Sequence, residues 1–221
     1  LSIRRQRQMC IRDRTYLYSY DPDVFGKKEL IGNWGFTNVT KNWNWKDADQ
    51  KPVQVAVFSN GDEVELIQNG TSVGKLTSGT RLAADLPHSF LFDLTYLPGT
   101  LEAVSYKDGK EISRDTLVTT GPAKELRLIQ EKKELSANGH EVAYVRVEIV
   151  DENGIVVPDA ALRLSAAVEG VGSLAAFGSS NPITDENYTS GTFTSYHGTA
   201  TAIIRSGYQT GMCTLTVGCE G

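Results

Sequence analysis

Between residues 53 and 217 the chain is a succession of short segments that alternate apolar with polar or small residues, each broken by turn residues. A side-chain period of two places neighbours on opposite faces of a strand, so this rhythm commits the chain to half-buried sheet. Residues 53–58 alternate and end at Asn60-Gly61; 63–67 follow and end at Asn69-Gly70; 72–76 come next. In 89–94, Phe90 and Phe92 share one face and Leu91 takes the other. Pro98-Gly99 leads into 101–106, and Asp108-Gly109 into 111–119. Asn-Gly and Asp-Gly pairs supply the two positive-φ residues of a tight hairpin, so hairpins are expected at Asn60-Gly61, Asn69-Gly70 and Asp108-Gly109. Turn signals every ~8–12 residues are the spacing of a β-sandwich.

Thr120-Gly121-Pro122 interrupts the series, because proline cannot donate to a sheet ladder and glycine breaks the alternation. A second series then begins at 124–131. Val142–Val150 is its clearest strand, with Val145, Val147 and Ile149 on one face and Arg146 and Glu148 on the other. Asp151-Glu152-Asn153-Gly154 reads as a turn, and 161–168, 172–177, Thr199–Arg205 and 212–217 as further strands. No segment beyond about ten residues holds a 3.6-residue period, and none has the ~18 apolar residues of a membrane span. The expected class is all-β: two consecutive Ig-like β-sandwich domains, 50–121 and 122–221, preceded by an irregular aromatic-rich linker.

That linker, 15–49, carries Tyr16, Tyr18, Tyr20, Phe25, Trp34, Phe36, Trp43 and Trp45 without periodicity. Too short to be a domain, it is expected to pack against another body. Residues 1–14 hold five of the 22 Lys/Arg and one of the 27 Asp/Glu, leaving an acidic remainder of 17 against 26. An acidic body repels a phosphate backbone, which argues against nucleic acid as a partner. The basic stretch resembles a translated sequencing-adapter remnant, with a disordered tail as the alternative; either way it stands outside the fold, and the true N-terminus is expected to be missing.

Few residues here suggest chemistry. Cys213 and Cys219 fall in one expected strand, ~20 Å apart, too far for a disulfide, and are read as half-buried inert thiols. The acidic groups Asp62/Glu63/Glu65, Asp151/Glu152 and Asp185/Glu186 sit mostly beside turn residues, where solvation opposes the raised pKa that a catalytic general acid needs. Asp151-Glu152-Asn153-Gly154 offers oxygen ligands but lacks the spacing of a calcium loop. His88, His140 and His197 are scattered, and no Cys/His spacing reads as a zinc site, so neither metal nor cofactor is expected. Three Asn-x-Thr triplets, at Asn38, Asn69 and Asn187, are read as coincidence. Trp34, Trp43 and Trp45 could present rings to a sugar, and are the candidate carbohydrate-binding residues; the competing reading buries them against a neighbouring domain. Trp43 and Trp45 alternate and so share a side of an extended segment.

Trp43-Asn44-Trp45 is followed by Lys51-Pro52-Val53-Gln54-Val55-Ala56-Val57-Phe58-Ser59-Asn60-Gly61-Asp62-Glu63-Val64-Glu65-Leu66, then by Tyr96-Leu97-Pro98-Gly99-Thr100-Leu101-Glu102-Ala103-Val104 and Tyr106-Lys107-Asp108-Gly109. These stretches resemble the region that follows the catalytic barrel in glycoside hydrolase family 2 enzymes of the β-galactosidase type. In the second series the resemblance rests on 143–154 with Val157-Pro158, and on 197–207. Lys41-Asn42 departs from the family's usual histidine before Trp43, and 178–182 from its usual turn. The resemblance implies a modular retaining hydrolase whose two catalytic glutamates lie on a (β/α)₈ barrel absent from these residues. The fragment is then non-catalytic, its partner its own barrel and, as a second candidate, an oligo- or polysaccharide, with no membrane partner. The family favours a periplasmic or extracellular setting. A stand-alone carbohydrate-binding module is the first alternative. An Ig-like surface stalk is the second, though the two series share no visible repeat.

Overall fold

The computed structural model describes residues 14–28, 37–77 and 88–219. Trp34, Phe36, Cys10 and the stretch 1–13 lie outside the described residues. The chain forms two compact units that divide between Thr119 and Thr120. Every strand pair is antiparallel, and the one helical element among the described residues is a 3-10 turn at Pro22–Val24, capped by the Asp21 carboxylate.

The first unit holds β1 (Tyr16–Ser19), β2 (Pro52–Phe58), β3 (Glu63–Gln68), β4 (Thr71–Thr77), β5 (Ser89–Thr95), β6 (Thr100–Lys107) and β7 (Lys110–Val118). One sheet has the order β1-β2-β5 and the other β4-β3-β6-β7. The inward residues predicted from alternation meet in one core: Val53, Val55 and Val57 from β2, Val64 and Leu66 from β3, Phe90 and Phe92 from β5, Leu101 and Ala103 from β6. On the outer face of the four-stranded sheet, Val104 is buried in a rung between Glu65 and Arg114. Long charged side chains cover apolar surface with their stems while their heads stay in water.

Two of the three expected hairpins form. Asn69-Gly70 and Asp108-Gly109 both have positive φ at each residue and join β3 to β4 and β6 to β7. Asn60-Gly61 does not: neither φ is positive, and β2 pairs with β1 and β5 rather than β3. The chain instead crosses from one sheet to the other there. Glycine is needed for proximity, since a Cβ at Gly61 would lie 2.8 Å from the Tyr106 carbonyl oxygen and 3.2 Å from Ser105 Cβ. Ser59 Oγ accepts from Gly61 N, and Asp62 N donates to Tyr106 O, which fixes the crossing against β6.

The segment read as a linker is partly structural. Tyr16–Ser19 becomes β1, the edge partner of β2. Thr15 Oγ1 donates to Ser105 Oγ at 2.7 Å, and Leu17 N donates to Asp115 Oδ2 at 2.8 Å. Lys41 Nζ reaches the same Asp115 oxygen at 2.8 Å and lies over the Tyr16 and Tyr18 rings. Four residues are too few for periodicity to register, so this strand is defined by its partners.

The second unit holds β8 (Glu125–Gln130), β9 (Val142–Val150), β10 (Arg163–Gly170), β11 (Ser173–Gly178), β12 (Thr192–Thr194), β13 (Thr199–Arg205) and β14 (Cys213–Cys219). Its sheets have the orders β11-β13-β9-β8 and β12-β10-β14. Val145, Val147, Leu164, Phe177, Phe193 and Ala202 form the main core, and Ile149, Val157 and Ala160 a smaller one.

Candidate functional site

Trp43 is the largest fully buried side chain of the first core, with 1% of its surface exposed. Its indole packs edge-on against Tyr96, ring centroids 4.8 Å apart, and its Nε1 donates to Leu97 O. Its carbonyl accepts from Tyr96 Oη and Thr119 Oγ1. No ring face remains for a sugar, which corrects its place among the binding candidates. The Trp43-Asn44-Trp45 alternation marked a buried face, a pattern a ligand platform would share. Trp45 packs partly buried on the same core and donates Nε1 to Ser19 Oγ at 3.2 Å.

Several of the acidic groups are occupied in holding the fold. Lys75 Nζ lies 3.2 Å from Glu63 and 3.6 Å from Glu65, and 4.6 Å from the centroid of the Tyr106 ring; Tyr106 Oη donates to Glu65. A hydrogen bond from Ser72, with others from Tyr106 and Lys75, holds Glu65 below the usual carboxylate range. Asp151 accepts from Ile155 N, Gly121 N and Asn153 N, the first two chiefly lowering its pKa; this is how the 151–154 turn uses it, with Gly154 at positive φ. Glu141 is lowered to about 2 by the Ser136 backbone N–H and by Lys132. Glu111 is lowered by Arg114. Glu186 pairs with Arg163 and accepts from Thr194 N, while Asp62, Glu152 and Asp185 are exposed.

Among the described residues, Glu65, Glu111, Glu141 and Asp151 are displaced downward, the reverse of what a proton-donating acid needs. His88, His140 and His197 are exposed, and no group of three metal-ligating side chains comes together among the described residues.

Sequence reasoning passed over two features. Glu148, only 6% exposed at its side chain, receives Arg127 in two hydrogen bonds of 2.9 and 2.6 Å and Arg146 at 2.9 Å. Its outward position in the strand pattern gave no hint of burial. A groove of about 590 Å³ opens at one end of the second sandwich, lined in part by Val145, Ile204, Val171, Met212, Lys133 and Arg205. It joins residues distant in sequence, so no local pattern announces it. Cys213 and Cys219 lie on one strand as expected, but are exposed rather than half-buried, because β14 is an edge strand.

Comparison with known proteins adds to this geometry. Residues 126–221 match glycoside hydrolase family 2 C-terminal domain 5, and 50–113 match a domain of unknown function. A β-galactosidase of Bacteroides ovatus is 28% identical over 180 residues, 81% of this chain and 20% of that protein. A β-galactosidase of Thermoanaerobacter pseudethanolicus is 30% identical over 182 residues, 77% of this chain and 23% of that protein. The crystal structure of a family 2 glycosyl hydrolase from Bacteroides cellulosilyticus superposes with a TM-score of 0.81 at 27% identity, covering 93% of this chain and 27% of that one. The chain thus spans about a fifth of the length of the curated relatives it matches.

Proposed function

We propose that the chain is a C-terminal accessory region of a glycoside hydrolase family 2 enzyme, a non-catalytic pair of β-sandwiches supporting the barrel of a β-galactosidase-like retaining enzyme. Its partner is the catalytic barrel of the same protein, and its work is docking, rigidity and framing of the substrate entrance. The observation that carries this reading is the carboxylate chemistry. Glu65, Glu111, Glu141 and Asp151 are all held as anions by donors that the fold supplies. A retaining dyad requires one carboxyl group kept protonated about 5 Å from an ionised one.

The purified chain is expected to leave nitrophenyl β-galactoside and β-glucuronide intact. Turnover abolished by changing one of its own carboxylates would overturn the proposal. Trp34 and Trp45 are retained as candidate sugar contacts, Trp45 because part of its surface stays accessible. Glycan-array binding lost in Trp45→Ala would support that role, and binding unchanged in both Trp34→Ala and Trp45→Ala would remove it.

A further inference from the structure

A sheet edge presents unpaired N–H and C=O groups, and natural edges are blunted by shortness, charge, bulges or cover. Seven of the eight edges of the described sheets carry such a defence. Two are merely short, β1 with four residues and β12 with three. Charge protects four more: Lys75 on β4, Asp93 on β5, Arg114 and Asp115 on β7, Glu125 and Arg127 on β8. A bulge between Leu174 and Ala176 breaks β11.

The eighth, β14, has none of these. Cys213-Thr214-Leu215-Thr216-Val217-Gly218-Cys219 carries no charge and no proline, and its register with β10 is unbroken over seven residues. Cys213, Thr214, Thr216 and Cys219 are exposed, and no residue of the strand is buried.

The sequence of the strand is complementary to itself. Reversed about Thr216, the one antiparallel register that pairs all seven residues sets Cys213 opposite Cys219, Thr214 opposite Gly218, Leu215 opposite Val217, and Thr216 opposite its own copy. The odd positions face the core side, as their partners Leu164 and Ala166 on β10 do. Apolar residues therefore meet apolar residues on one face, small or hydroxyl residues meet on the other, and no like charges are opposed. Cross-strand pairs of these kinds stabilise a sheet.

We propose that β14 is a self-association edge, on which two copies of this chain pair β14 to β14 about Thr216 and fuse two three-stranded sheets into one of six. A two-fold contact of this kind is isologous, each copy presenting the same surface. A single strand pair buries little area, so the dimer is a weak one, with dissociation in the range of roughly 10–500 μM.

Sedimentation of the 221-residue chain carrying Cys10→Ser, under reducing conditions, is expected to show a monomer–dimer equilibrium in that range. Thr216→Lys, which sets two ammonium groups face to face, and Thr214→Lys, placed off the axis, are each expected to weaken it at least tenfold with an unchanged melting temperature. Oxidised glutathione then reports the register. Two thiols form one disulfide, releasing two protons and two electrons that reduce the glutathione disulfide to two thiols. Between ¹⁵N-labelled and unlabelled copies, the expected cross-link joins Cys213 of one to Cys219 of the other. A chain monomeric to about 1 mM, a dimer indifferent to both lysines, or links confined to Cys213–Cys213 would overturn the proposal.

Discussion

In the first unit the aperiodic stretch ahead of β2 contributes Leu17, Trp43 and Ala48 to a single continuous core. The second unit divides its apolar interior into two clusters and adds buried acidic groups, Glu148 under two arginines and Asp151 under three backbone N–H groups. Beyond its apolar core, the first sandwich gains the buried ring of Trp43, and the second gains charge-assisted hydrogen bonds to Glu148 and Asp151. The difference teaches where each is vulnerable, because volume loss is paid in cavity energy regardless of pH, whereas carboxylates lose their partners when protonated.

Removing the central ring should be the most damaging single change. Trp43→Ala is expected to destabilise the first unit by about 3–5 kcal/mol. Urea unfolding followed by amide exchange should show β2, β5 and β6 losing protection while β9 and β13 keep theirs. Equal loss in both units would break the contrast. Glu148→Ala is the matching change in the second unit, expected to cost about 2 kcal/mol. It falls short of the 3–5 kcal/mol of a fully buried pair because Arg127 and Arg146 are 43% and 59% exposed and can turn to water.

Gly61→Ala tests the sheet crossing against the hairpins. The new methyl meets the Tyr106 carbonyl, so a loss of about 1–3 kcal/mol is expected. Gly70→Ala meets nothing within 4 Å but sits at φ +78°, and should cost about 1 kcal/mol in chemical denaturation. A larger loss at Gly70 would mean that the crossing yields more easily than its geometry implies.

The smallest effect expected is that of Glu141. Its folded pKa of about 2 lies below the ~4.3 of an unfolded glutamate. Its contribution is present above about pH 4.3 and is lost as pH falls toward 2, since the unfolded state takes up the proton first. Glu141→Gln should flatten the melting temperature of the second unit across that window and leave the first unchanged. An NMR titration placing the Glu141 carboxyl midpoint near 4.3 would contradict the hydrogen bonds drawn from Ser136 and Lys132.

Much of the fold was legible along the chain. The inward faces of β2, β5 and β9 follow from alternation, and the Asn69-Gly70 and Asp108-Gly109 hairpins from the left-handed backbone these pairs permit. Asn60-Gly61 misled because the same dipeptide serves a second physical need, close backbone approach, which only the neighbouring strand reveals. β1 and β12 escaped because three or four residues carry no period. Among the candidate site residues, Trp43 was found by composition but its role was not legible, since an aromatic ring suits a core and a ligand equally well.

The sequence by itself determined the class and the chemistry available: short alternating strands, a chain poor in histidine clusters, and acidic residues placed where turns use them. Tertiary structure alone decided which face of Trp43 has neighbours, which sheet each strand joins, and which edge is left bare. Those are properties of pairs far apart in the chain. Local periodicity fixes the side on which a residue points, but only the packed fold fixes what stands opposite it.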